Sequence, residues 1–312
     1  MATATSIRLS LKTITRSANP LALWHLLSLD APTVAVLWTC FIASANHVRL
    51  PVSSALAMAL TVWMLYAADR LMDARLLDVN PVHHQDLEAR HYFHHRHRSA
   101  FVAGILFSSV ILAVLLPRLG AEAIHLYLIL GGLVCGYFIL IHATAAQQIV
   151  AHRLPKEIAV GLCFAAATFI PTVARRPLLR LPLLPSALLF ATLCSLNCLF
   201  IYAWEHDNNR DDSHDSDNSD NSDNSEDRRI HAITQLALRN LVPLTILLAL
   251  TSAALTLLDH SAPRTIPCAI AISAALLLLL HNQRHSIARI TLRAAADLAL
   301  TTPLLFLPFL HR

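Results

Sequence analysis

The chain has 312 residues, of which 55% are hydrophobic and 14% charged, a balance that leaves a water-soluble domain short of polar residues to cover its surface. That excludes an ordinary soluble enzyme, whereas a lipid-facing surface removes the difficulty. The formal net charge of +4 comes with no large basic face outside the apolar blocks, so nucleic acid is not an expected partner.

Residues 1–28 carry Arg8, Lys12 and Arg16 among several Ser and Thr and no acid, which reads as a basic interfacial segment ahead of the first apolar block. Apolar blocks then follow at 31–47, 52–68, 99–117, 121–142, 157–174, 182–204, 240–258, 265–281 and 294–310. Each is 17 to 23 residues long, and a helix needs roughly 20 to cross the hydrocarbon of a bilayer. Their interiors are rich in Ala and Leu without strict alternation, so helices fit and barrel strands do not. The expectation is an all-α membrane bundle over 29–311 with nine transmembrane helices, two four-helix units and a ninth.

Orientation follows from the basic residues, which remain on the cytoplasmic side of span ends. Of 24 Lys and Arg, 17 fall in segments on the same side as the N-terminus, and the other seven are Arg49, Arg118, Arg175, Arg176, Arg180, Arg264 and Arg312. The N-terminus is expected in the cytoplasm and the protein in a bacterial inner membrane. The six cysteines all sit inside apolar blocks, where Cys packs as a small hydrophobe.

At the inner end of the second block the chain runs Trp63-Met-Leu-Tyr-Ala-Ala-Asp69-Arg70-Leu-Met-Asp73. Asp69 and Asp73 are one helical turn apart on one face, and ionisable residues at a membrane boundary are functional candidates by default. The loop beyond holds His83, His84 and the run His91-Tyr-Phe-His94-His95-Arg-His97. Before the fifth block come Arg153 and Lys156, the latter one of two lysines in the protein.

The sixth block closes on Asn197-Cys-Leu-Phe-Ile-Tyr202-Ala-Trp-Glu205-His-Asp207-Asn-Asn-Arg-Asp211, a second acid pair at i and i+4. It opens an acidic stretch, 207–227, whose Ser-Asp-Asn repeats bury no apolar surface and are expected to form a disordered loop. Paired carboxylates with a nearby Lys suit a diphosphate whose oxygens share Mg2+ with the protein. Such ions offset charge developing on a departing diphosphate.

On these residues the sequence resembles the UbiA superfamily of intramembrane prenyltransferases, which have nine helices and two Asp-rich motifs after helices 2 and 6. Asp69 and Asp73 match the last two acids of the family's first motif, where Leu65 and Tyr66 replace its leading Asn and Asp. Tyr202 and Ala203 match a Tyr-Ala pair before the second motif, with acids at Asp207 and Asp211 and Glu205 as an alternative ligand. Lys156, Gly161, Phe164 and Pro171 match the basic residue, Gly, Phe and Pro at the fifth helix. The resemblance implies Mg2+ held by Asp69, Asp73, Glu205 or Asp207, and Asp211. It also implies substrate contacts from Lys156, Arg70, Arg153 and Tyr202. The implied reaction transfers a prenyl group from a prenyl diphosphate to a lipophilic, aromatic acceptor, in a tunnel open to membrane lipid.

Two other readings start from different residues. His91-Tyr-Phe-His94-His95 has the His-x-x-His-His spacing of di-iron membrane oxidases and hydroxylases, with His281 and His285 on the same side, but a third box is missing from the sequence. Glu122, His125, Asn197 and Asp297, in or near apolar blocks, are the residues a transporter would use. Asp297 has Arg293 one turn earlier as an expected partner, and Asn197 is suited to an interhelical hydrogen bond.

Overall fold

The computed structural model describes residues 24, 26–79, 96–145, 156–213, 232–258, 263–306 and 308, and their regular structure is helical. The helices are α1 (Asp30–Ala45), α2 (Val52–Val79), α3 (Arg98–Leu115), α4 (Ala121–Ala145), α5 (Lys156–Arg175), α6 (Arg180–Ser213), α7 (Ala232–Arg239), α8 (Leu241–Leu258), α9 (Thr265–Asn282) and α10 (Arg289–Ala299). Every apolar block of the sequence carries helix. The chain is an all-α membrane bundle.

The expected nine crossings reduce, by length and apolarity, to six candidate spans: Val52–Leu71, Arg98–Arg118, Lys156–Arg175, Pro177–Trp204, Leu241–Leu258 and Thr265–Asn282. Two further apolar helices, Asp30–Ala45 and Ala121–Tyr137, are shorter. At about 1.5 Å per residue the 16 residues of α1 reach about 24 Å, less than a hydrocarbon core of about 30 Å. The last block is broken in two: α10 ends at Ala299, and a single 3₁₀ turn, Thr302–Leu305, follows with Pro303 near its start. Pro303 brings no N–H to continue an α-helical ladder. The Thr302 hydroxyl is instead engaged by α9, donating to the Ala269 carbonyl at 3.0 Å and lying 2.7 Å from Ser273 Oγ.

The core is aromatic at its centre and aliphatic around it. Trp38 on α1 packs on Phe190 of α6, ring centroids 4.2 Å apart, with Phe41 edge-on at 5.7 Å. Phe164 and Phe169 of α5 flank Phe190. The Trp38 indole donates to the Leu300 carbonyl at 2.7 Å, which satisfies its one polar atom and fastens α1 to the end of α10. On the outside, α3 presents Val102, Leu106, Phe107, Val110 and Val114, and α8 presents Leu247, Leu250, Leu257 and Leu258, all exposed. Such apolar surface belongs against lipid.

Cross-links at the two ends of the bundle distinguish its faces. At one end Arg176, after α5, donates to the Asn46 carbonyl after α1 at 3.2 Å, and Arg180 at the start of α6 pairs with Glu122 at the start of α4. At the other, Asp69 late in α2 meets Lys156 at the start of α5, and Trp204 late in α6 meets His281 at the end of α9. The ends of α2 and α6 therefore lie on one side, as the sequence requires. The main packing partners of the two helices, among the described residues, are other elements. Helix α2 packs on α1 and α3, α6 packs on α5, α8 and α9, and α1 joins the groups by packing on α5.

Candidate functional site

The candidate site lies where the later part of α2 passes the first turn of α5. Lys156 Nζ lies 3.9 Å from Asp69 Oδ1, with the side chains 64% and 41% exposed. A pair this open contributes at most about 1 kcal/mol to stability, so its interest is positional: a mobile cation held next to a carboxylate at one end of the bundle. Arg70, the next residue on α2, turns the other way and is buried. Beside Lys156, Glu157 accepts a long hydrogen bond from Thr234 of α7 at 3.5 Å. Tyr202 is half-buried on α6.

The remaining acids predicted from sequence are placed by their backbones alone. Asp73 follows Asp69 by one turn within α2, and α6 continues as a helix through Glu205, Asp207 and Asp211 to Ser213. The stretch expected to be disordered from 207 thus begins as helix. The side chains of Asp73, Glu205, Asp207 and Asp211 lie outside the described residues, as do Arg153, 214–231 and the histidines from His83 to His95. Among the described residues no group of three or more His, Cys, Asp or Glu converges as a metal site. Asp69 offers one hard oxygen ligand, and Mg2+ bound with substrate phosphates uses one or two carboxylates. The donor chemistry of Asp69 with a helical Asp73 therefore fits that ion.

Deeper in the bundle lies a second polar group that the sequence analysis did not assemble. Asp30, the first acid in the chain, opens α1 and is 1% exposed. Its carboxyl accepts the Ala31 N–H at 2.9 Å, as acids at helix N-termini do. The carboxyl of Asp297 on α10 and buried Arg70 lie close to it. Asn197 Nδ2 donates to Asp297 Oδ1 at 3.1 Å, so the interhelical bond expected of Asn197 is present. Asp297 is thus held by α6 and stands one turn from Arg293. Tyr66 of α2 and Cys198 of α6 lie near Asp297.

Other residues singled out by sequence serve packing. A Cβ on Gly161 would collide with Ser195 Oγ and approach the Ala191 carbonyl oxygen to 2.6 Å, so α5 meets α6 where only glycine fits. Pro171 is buried within α5 and Phe164 stands against Phe190. His281 Nδ1 accepts the Trp204 indole N–H at 3.1 Å, and Arg284 donates to the His281 carbonyl at 3.0 Å. That ring is committed to closing the end of α9 on α6.

Compared with models of known protein families, with curated proteins and with solved structures, the chain matches none.

Proposed function

We propose that this protein is a UbiA-like intramembrane prenyltransferase with nine crossings, acting on a prenyl diphosphate and a lipophilic acceptor at the cytoplasmic face of a bacterial inner membrane. The observation that supports the reading best is the meeting of Asp69 and Lys156 at 3.9 Å. A carboxylate from the first Asp-rich element and the cation before the fifth helix stand side by side, as binding of a metal-bridged diphosphate requires. In this reading Asp69 and Asp73 would hold Mg2+, with Glu205 or Asp207, and Asp211, on the second element. When bound there, the ion would supply positive charge to offset that developing on the departing diphosphate. Lys156 contacts the diphosphate oxygens directly, and the surrounding apolar helices keep water from the allylic carbon.

Titration of the purified protein with geranyl diphosphate, with and without Mg2+, tests this. Binding is expected to require the ion. Asp73→Asn removes a charge from the metal site and Lys156→Ala a cation facing the diphosphate. Each lost charge-assisted contact costs about 1.5 to 3 kcal/mol, so affinity falls by roughly one to two orders of magnitude. His94→Ala is expected to leave binding unchanged. Parent-like binding by both Asp73→Asn and Lys156→Ala, with iron and activity lost in the His94 variant, would replace this reading by a histidine-box oxidase.

A further inference from the structure

At the end of the bundle opposite Asp69 and Lys156 the chain presents Arg49, Arg118, Arg175, Arg176, Arg180 and Arg264, every one of them exposed. In the whole sequence Glu122 and Asp259 are the acids that fall in the segments at that end. Glu122 is taken by Arg180. Among the described residues Arg49, Arg118, Arg175 and Arg264 have neither an ion pair nor a side-chain hydrogen bond. This end therefore carries an excess of positive charge that the protein does not balance.

Part of that charge has an internal use. Arg175 stands in the last turn of α5, where the helix dipole favours a cation, and Arg176 donates to the Asn46 carbonyl at 3.2 Å. Arg49 has no such role, since it lies in the irregular segment between α1 and α2. The Arg176–Asn46 bond draws the turn after α5 against that segment, so Arg49 and Arg175 are carried on adjoining pieces of chain. The apolar side chains beside them indicate which anion completes the surface. Val52, at the start of α2, is 83% exposed, and Leu178 and Leu181, after Arg176, are 92% and 79% exposed. Apolar groups this open at the ends of spans belong against acyl chains. The neighbouring guanidinium groups then sit at the depth of lipid phosphates, which they can meet through two parallel N–H donors. A soluble anion would gain nothing from the leucines.

We propose that the segment between α1 and α2 and the turn between α5 and α6 form a docking surface for an anionic phospholipid, its phosphate bound by Arg49 and Arg175 and its acyl chains lying along Val52, Leu178 and Leu181. Arg176 holds the two pieces together. The surface is independent of what Asp69 and Lys156 bind at the other end.

Native mass spectrometry of the full-length protein in detergent, titrated with dioctanoyl phosphatidylglycerol and separately with dioctanoyl phosphatidylcholine, tests this. The parent is expected to hold phosphatidylglycerol in preference to the zwitterionic lipid. An arginine at an anionic lipid surface contributes roughly fivefold to affinity, so Arg49→Gln and Arg175→Gln each weaken phosphatidylglycerol binding by about that factor and the double variant by about twenty-five-fold. Arg175→Lys recovers part of the loss, and phosphatidylcholine binding stays as in the parent. Arg239→Gln, which removes an exposed arginine at the opposite end, leaves the tightest phosphatidylglycerol site unchanged. Inorganic phosphate in excess does not displace the lipid. Arg176 is kept throughout because it fastens the bundle, gel filtration establishes folding, and the single variants carry the test if the double variant does not fold. Equal binding of the two lipids by the parent, or parent-like binding by the Gln variants, overturns the proposal. An equal loss in Arg239→Gln overturns it in favour of overall charge, and displacement by inorganic phosphate overturns it in favour of a soluble anion.

Discussion

His47 sits with φ at 53°, a left-handed conformation that costs a residue with a Cβ roughly 1 to 2 kcal/mol and costs glycine almost nothing. It closes α1: the His47 N–H bonds to the Ser44 carbonyl at 3.0 Å, and the Val48 N–H reaches back to Ala43 at 2.8 Å, the pairing that ends many helices on a glycine. His47→Gly is therefore expected to stabilise the protein by about 1 kcal/mol, read as a higher Tm in detergent. A lower Tm would mean that the imidazole makes a contact worth more than the strain. Residues of this kind were hidden in the sequence for a physical reason. Asp30 and Asp297 stand at opposite ends of the chain, each beside an apolar stretch where a lone acid reads as a helix start or an i+4 partner. Only tertiary packing reveals that they lie close together. Asp69 and Lys156, by contrast, are a carboxylate and a rare lysine at the ends of apolar blocks, and their chemistry marked them before any coordinates.

Between elements, the closest approach is that of α5 and α6 at Gly161. In a membrane, where lipid is as apolar as any side chain, helices associate through close packing and small residues permit it. A methyl group at Gly161 meets backbone as well as the Ser195 hydroxyl, so the helices must separate. Overpacking of this kind costs about 1 to 3 kcal/mol. Gly161→Ala is expected to lower Tm, and Ser195→Ala in the same chain to restore only part of the loss, because the Ala191 carbonyl remains in the way. Full rescue by Ser195→Ala would show that the hydroxyl alone sets the spacing. The blocks themselves were readable because a run of apolar residues states directly how much helix can be hidden in lipid. Their ends were less readable. The acid-rich continuation of α6 to Ser213 looks like loop by composition, but extending an existing helix is far easier than nucleating one. The last block looks like a span by composition, yet Thr302 and Pro303 divide it.

For the whole molecule, the open question is how often the chain crosses, and the two ends of the bundle supply the terms of the answer. Arg176 with Asn46 and Arg180 with Glu122 mark one face, and Asp69 with Lys156 and Trp204 with His281 mark the other. The path therefore alternates from α1 through α6, even though α1 is short. Beyond α9 the chain turns at Arg284–Ser286 on the face of Lys156 and re-enters as α10. The 11 residues of α10 reach about 16 Å, and the four of the 3₁₀ turn add about 8 Å, close to but short of the hydrocarbon thickness of about 30 Å. Whether the chain completes that crossing decides whether its two ends lie on the same side of the membrane. The ninth crossing in the proposed function places Arg312 opposite Met1. Reporters fused after Arg312 and before Met1, one active only in the cytoplasm and one only outside it, are expected to give opposite answers. Cysteines placed at Arg118 and Arg264 should take an impermeant thiol reagent from outside intact cells, and one at Arg284 should not. Both reporters on one side would mean that α10 enters and turns back. Asp297 would then be carried on a re-entrant helix, a form of backbone tolerated at membrane depth only where protein or a polar cavity surrounds it.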